Sequence, residues 1–351
     1  MSKLLRSPKA LTILIVLGIV LIISLAGGAL GSEFGGGFLG SPLAHIQLPA
    51  ESLTSNPLFL DFSITNTMVA TWIAIVVLLV ISFFVTRRMS DVPRGLQNLV
   101  EIIIEAFLNL AESVAGPGRA RRFFPLVITI FLFIVTANWI GILPGFGTIG
   151  RIESAEEIVH HLEEKGEEAD LAEVRLQVFD GDGAVGVVPF GSVEEELTAA
   201  ELDEEELSRQ GKQAGVLVPF LRSANTDVNT TLAIALVAMF MVHFWGFSTL
   251  GFLGHIGKFV NLRGGPIGMF VGILEGISEV ARVISFTFRL FGNIFAGEVL
   301  LVAMAFLLPM IGIIPFLGLE LFVGMIQAFI FAMLTLVFAA MATVGHEAEE
   351  H

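Results

Sequence analysis

Residues 266–308 read PIGMFVGILEGISEVARVISFTFRLFGNIFAGEVLLVAMAFLL. The stretch is apolar enough for a bilayer, yet too long and too charged for an ordinary span. An α-helix rises about 1.5 Å per residue and a bilayer core is about 30 Å thick, so as one helix this segment is about 65 Å long. It must tilt strongly, break, or lie partly in the membrane plane. It also carries Glu275, Glu279, Arg282, Arg289 and Glu298. An arginine at mid-membrane costs at least about 2.5–3.5 kcal/mol, so it must face water, protein or a counter-charge.

Spacing sorts these charges. Glu275, Arg282 and Arg289 recur every seven residues and share one helical face, with Ser278 and Ser285 on the same stripe. Glu298 follows Arg289 by nine residues, half a turn away, and points to the other side. In the next apolar segment, 311–343, Glu320 and Gln327 are again seven apart. A helix with arginine on one side and glutamate on the other can face a partner and an aqueous path at once. An internal salt bridge such as Arg282–Glu275 is an equal alternative for Glu275, Glu279 and Arg282. It does not serve Arg289, which has no Glu or Asp within two turns on its own helix. His243, inside another apolar run, is either a hydrogen-bonded core residue or a proton carrier.

Composition agrees with a membrane chain. Of 351 residues 54% are hydrophobic, with 31 Phe and no Cys, and the mean hydropathy is +0.83. Without cysteine there is no disulfide framework and no thiolate chemistry. The net charge of −15 arises mostly from one acidic block, 151–206. No basic patch with interleaved aromatics points to nucleic acid. No nucleotide-binding loop is present, so ATP chemistry would belong to partner subunits. No pattern implies a cofactor, a metal or a catalytic residue.

Along the chain, Lys3, Arg6 and Lys9 precede an apolar run from Ala10 to Leu30, a signal-anchor or first transmembrane helix; cleavage near Ala26–Gly31 is the alternative. Residues 32–66 form an extracytoplasmic segment without Lys or Arg, and 67–146 hold further spans, Met68–Val85 and Phe123–Phe146. Between them, 96–114 places Asn98, Glu101, Glu105, Asn109 and Glu112 on one face and apolar residues on the other, an amphipathic helix on the membrane surface or against a partner, with an ordinary packed helix as an equal alternative. An acidic insertion occupies 147–218, with Glu-rich helical stretches at 153–174 and 194–209 and a Gly/Val segment at 178–191 suited to strands. Core helices fill 219–345, beginning with a span over Val228–Phe252, and 346–351 are a tail.

The positive-inside rule orients these spans. Loop 87–122 carries six arginines and is cytoplasmic, as are the N-terminus and the loop with Lys258 and Arg263. The acidic insertion falls outside. The expected fold is an all-α membrane protein: a multi-pass helical bundle with two long, strongly tilted C-terminal helices and an extramembrane insertion.

The stretch Ser285-Phe-Thr-Phe-Arg-Leu-Phe-Gly-Asn-Ile-Phe-Ala-Gly-Glu298 closely resembles the signature of subunit a of F-type ATP synthases, Fo sector. Ile326-Gln-Ala-Phe-Ile-Phe331 with Leu334-Thr335 resembles that family's last helix, and Asn225-Thr-Asp-Val-Asn-Thr-Thr-Leu232 an earlier helix start. Asn138-Trp-Ile-Gly-Ile-Leu-Pro144 and Ile273-Leu-Glu-Gly-Ile-Ser-Glu279 are similar to two further family segments. The resemblance covers roughly 65–146 and 219–345, but neither the N-terminal run nor the insertion. It implies a non-catalytic stator in a bacterial cell (inner) membrane. This stator lies against a ring of c subunits, is held by a b-subunit stalk, and carries two offset half-channels for protons. Arg289 would then be the stator arginine. Asn293, Glu298, Glu320 and Gln327 would be polar elements of the ion path, and Glu275 would flank a half-channel. Position 320 is Glu where many bacterial relatives carry His. A self-contained secondary transporter or ion channel is the alternative; such folds often show repeated halves, and this chain shows none. A non-conducting scaffold would leave Arg289 and Glu298 unexplained.

Overall fold

The computed structural model describes residues 8–27, 49–54, 63–87, 89–143, 145–164, 175–180, 185–187, 192–198, 207, 209–259, 265–307 and 312–344. Residues 28–31 of the alternative cleavage region, most of the 32–66 segment, residues 165–174 and 199–206 of the predicted insertion helices, Arg263 and the tail lie outside the described residues.

The helices are α1 (Pro8–Gly27), α2 (Asn66–Thr86), α3 (Leu96–Ala115), α4 (Pro117–Gly141), α5 (Ala155–Glu164), α6 (Val228–Phe259), α7 (Gly265–Leu307) and α8 (Ile313–Ala342). Five of them, α2, α4, α6, α7 and α8, are long and apolar enough to cross a membrane. The chain is thus a mostly helical multi-pass membrane protein. The 43-residue α7 is one continuous helix, so of the ways to fit residues 266–308 into a bilayer, a break within the helix is not the one used.

The chain forms two compact units. One comprises Thr67–Ile140, Ser223–Phe295 and Phe322–His351. Its core interleaves Phe107, Ala111 and Ala115 of α3 with Phe123, Phe131 and Ile134 of α4, Ala235, Ala238 and Trp245 of α6, Phe286, Leu290 and Ile294 of α7, and Ala328, Phe331, Ala332 and Leu336 of α8. The alanines let helices approach closely; the phenylalanines fill the gaps, as where the Phe107 and Phe131 rings meet at a tilt with centroids 4.2 Å apart. α3 matches its predicted amphipathic form: one face enters this core, while Leu99 and Ile102 stay exposed among the acids.

α3 ends because Gly116 adopts φ +77°, and Pro117 opens α4 at a position where its missing N–H is not needed. The α4 span therefore begins earlier than the expected Phe123 and takes the arginines into its first turns. There Arg119 Nε donates to the Ala115 carbonyl, Arg121 pairs with Glu112, and Arg122 bonds Ser248 and Thr249. α6 runs past the expected Phe252 but is interrupted at Gly251, whose φ of +73° and ψ of 169° stop one helix and start another.

The other unit comprises Met1–Asn66, Gly141–Arg222 and Ala296–Leu321. Among its described residues the insertion within it is mainly sheet. Strands β1 (Ile149–Glu153), β2 (Arg175–Asp180), β3 (Val185–Val187), β4 (Ser192–Thr198) and β5 (Lys212–Pro219) form one antiparallel sheet in the order β3-β1-β5-β2-β4. Leu176, Val178 and Phe179 of β2 are buried, and α5 covers one face through Ala155 and Ile158. The acidic stretch from Glu194 was expected as helix on propensity. Its first residues are instead strand β4, where Val193 pairs with Val178 and Leu197 with Leu176 across a bulge. Tertiary pairing of the flanking apolar residues overrides the weak helix preference of three glutamates.

Candidate functional site

In the first unit α7 has two unlike faces. Phe286, Leu290 and Ile294 are buried against α8, whereas Ile277, Val280, Ile284 and Phe288 are exposed. Arg289 stands on the open side. Its Nη2 donates to Ser285 Oγ at 3.2 Å, and among the described residues it has no carboxylate partner. One turn on, Asn293 Nδ2 donates to Gln327 Oε1 at 2.7 Å. Gln327 is 3% exposed and its Nε2 has no partner, so a buried donor is left next to the arginine stripe.

Below Arg289 on the same helix, Arg282 binds both Glu279 and Glu275, the latter at 3.7 Å, and lies 4.8 Å over the Phe338 ring. The internal salt bridge weighed for Glu275, Glu279 and Arg282 is therefore formed. His243 Nε2 comes within 3.6 Å of Glu279 Oε2, while its Nδ1 meets His255 Nε2 at 3.1 Å. Ser278 is half-buried and adds no hydrogen bond to this cluster among the described residues.

In the second unit Glu298 is clamped. Arg222 Nε reaches its two carboxylate oxygens at 3.2 and 3.3 Å, Nη2 adds a 3.3 Å bond, and Nη1 holds the Pro49 carbonyl at 3.2 Å. Glu320 is buried against Gly297, where any Cβ would overlap its carboxylate. Glu51 accepts a 2.7 Å bond from Asn66 Nδ2, and the 51–54 segment is tied back by Leu53 N to Ile64 O at 2.8 Å. Burial raises the Glu51 carboxyl from 4.5 to about 7, against the pull of Arg222 and the Asn66 bond; Glu298 and Glu153 add to the rise.

A raised carboxyl binds its proton more tightly folded than unfolded. Its contribution to stability is complete below 4.5 and is lost as pH rises through about 7. Glu51→Gln is expected to flatten the pH dependence of thermal unfolding of the solubilised complex across that window. At alkaline pH it should relieve about 1–2 kcal/mol, less than the full shift implies because the group keeps some solvent contact.

Residues in the quoted motifs also tie helices together. Asn225 Nδ2 donates to Asn138 Oδ1 at 2.7 Å, and Asn138 Nδ2 to the Gly324 carbonyl at 3.1 Å. Asp227 caps α6 through the Asn229 N–H at 2.9 Å and accepts from Thr67 Oγ1 at 3.1 Å. Sequence reasoning passed over Glu51, Arg222 and His255; their partners lie far off in the chain, and only the cluster of acids and bases around Glu298 and His243 hinted that such partners were needed. Among the described residues no group of three or more His, Cys, Asp or Glu is arranged to hold a metal ion.

Comparison with known proteins places these features in context. The family described as "ATP synthase A chain" matches residues 68–340. Among similar proteins, one named ATP synthase subunit a from Gloeobacter violaceus is 28% identical over 282 residues, covering 80% of this chain and 85% of its own. Another of that name, from Moorella thermoacetica, is 25% identical over 304 residues, 87% of this chain and 100% of its own. A third, from Helicobacter pylori, is 29% identical over 276 residues, 78% of this chain and 87% of its own. With the family match spanning nearly all the membrane helices and the arginine stripe of α7 inside it, the chain belongs to the ATP synthase A chain family.

Proposed function

We propose that this chain is the Fo stator that couples proton flow across a bacterial inner membrane to rotation of a c-subunit ring, and so to ATP synthesis by partner subunits. The observation that carries the reading is Arg289. It is a permanent cation on the open face of a membrane helix, bonded to a serine and to no carboxylate among the described residues. A ring carboxylate is neutral while it faces lipid. Opposite Arg289 the ionised form is favoured, and the proton leaves into a half-channel. The guanidinium also blocks direct leakage between the two half-channels, because a proton would have to pass a fixed positive charge.

The proton path has one arm on each side of Arg289. Glu275, with Arg282 and Ser278, flanks one arm. Asn293, Gln327, Glu298 and Glu320 supply the polar groups of the other, with the acidic insertion on the extracytoplasmic side and a b-subunit stalk holding the stator still. The strong tilt expected of α7 and α8 lets their length fit the bilayer. The chain has no cysteine, so single cysteines report contacts cleanly. Cysteines at Ala281 and Phe288, on the face of Arg289, are expected to form disulfides with a ring subunit bearing a cysteine beside its carboxylate. Absence of cross-linking from that face, with cross-linking from the α2 face instead, would place the ring elsewhere.

A further inference from the structure

We propose that His243, His255 and Glu279 form a proton-transfer chain leading from the Arg282 cluster on α7 toward the side of the membrane that carries Lys258. The inference rests on the stator reading and deepens it by naming carriers for one half-channel. The break at Gly251 makes the arrangement possible: it turns the last two turns of α6 back, so that His255 meets His243, twelve residues earlier, at 3.1 Å. His255 is 2% exposed, boxed by the Phe247 and Phe259 rings, and lies against Gly246, where any Cβ would overlap its imidazole. A glycine at 246 thus makes room for this histidine.

The polar atoms are aligned in series. Glu279 Oε2 is buried without a hydrogen bond and lies 3.6 Å from His243 Nε2; His243 Nδ1 faces His255 Nε2; His255 Nδ1 is again buried without a partner. Buried polar atoms without hydrogen bonds cost stability, so one at each end of the same row calls for more than packing. The charged groups around the chain are Arg282 and Glu275 on α7, Lys258 at the end of α6, which donates to the carbonyls of Met341, Ala342 and Val344, and Arg122 of α4 on Ser248.

The transfer balances. A proton leaves the Glu279 carboxyl and bonds His243 Nε2. His243 gives its Nδ1 proton to His255 Nε2, and His255 gives up its Nδ1 proton to a water admitted beside Gly246. One proton enters and one leaves; both rings pass from the Nδ1–H to the Nε2–H tautomer, and exchange of ring protons with water restores the starting tautomers. Imidazole suits this work because its proton affinity lies near neutral pH and its two nitrogens bind and release on opposite sides.

The test uses the intact complex in inverted membrane vesicles. Passive proton flux after removal of the peripheral ATPase is measured per assembled ring. His243→Gln and His255→Ala are each expected to lower flux at least about tenfold. Free imidazole added on the Lys258 side is expected to restore His255→Ala and to leave the unmutated complex unchanged. Unaltered flux in the His243→Gln/His255→Gln double variant overturns the proposal, as does a loss that imidazole does not relieve. A readout that needs no variant is ¹⁵N-histidine NMR of the unmutated complex: a hydrogen bond between His243 Nδ1 and His255 Nε2 is expected as a coupling between the two ring nitrogens, and its absence overturns the proposal. Arg289→Ala in the same vesicles separates the two readings. If it keeps coupling, the stator reading fails. If it loses coupling while the histidine variants conduct normally, only this inference fails.

Discussion

Arg289→Ala is expected to abolish ATP synthesis and ATP-driven proton pumping while leaving the membrane sector leaky in the presence of its ring. The driving force is worth about 2.3 kcal/mol per charge per 100 mV, and it becomes rotation only if protons cannot bypass the ring. On the stator reading, without the guanidinium no unpaired cation among the described residues of this face favours the ionised ring carboxylate or repels a passing proton, since Arg282, seven residues earlier, is bound to Glu275 and Glu279. Arg289→Lys is expected to fail nearly as badly. An ammonium at bilayer depth can lose its proton, and it lacks the planar fork of arginine. Fluorescence-quench assays of vesicle acidification decide the matter: normal coupled pumping by the alanine variant would remove the stator role.

The second large effect is expected at Arg222, which is 5% exposed and holds Glu298, itself 29% exposed, together with the Pro49 carbonyl. Removing one member of a buried pair costs about 3–5 kcal/mol; the partial exposure of Glu298 brings the expectation for Arg222→Ala to about 2–3 kcal/mol. Subunit abundance in the membrane should drop, and ATP synthesis with it. Adding Glu298→Gln should recover much of the abundance, because the uncompensated charge is gone, while proton flux stays low. Abundance and melting temperature in the two single variants and the double give the coupling energy. Strictly additive losses would mean that the two side chains do not support each other.

Most of the membrane architecture was legible in the sequence because hydropathy over about twenty residues is a local property. The spans in α2, α4, α6, α7 and α8 and the amphipathic α3 all follow from it, and errors fell at boundaries set by single residues such as Gly116 and Gly251. The sequence also marked α7 as the element carrying the chemistry, since charges at seven-residue spacing are visible without a structure. What it hid are pairings between distant segments. Arg222 and Glu298 are 76 residues apart, Asn66 and Glu51 are 15 apart, and no periodicity links them. Arg222 was not singled out at all, and Glu51 read as part of a segment notable only for lacking bases. His255 was not singled out, because the reversal at Gly251 that brings it to His243 depends on a backbone angle that composition does not encode. The insertion was misread in part for a related reason: three glutamates favour helix locally, but their neighbours Val193 and Leu197 had strand partners waiting in β2.

That acidic strand has a consequence for life in a crowded membrane. β4 is the outermost strand on one side of the insertion's sheet, and it carries Glu194, Glu195 and Glu196 in succession. An outer strand offers unpaired backbone groups to any similar strand on a neighbouring complex, and adjacent strands sit about 4.8 Å apart. Were two copies to zip together there, two runs of carboxylates would be forced side by side. Repulsion between such runs of acidic residues would disfavour that pairing between two copies of this chain.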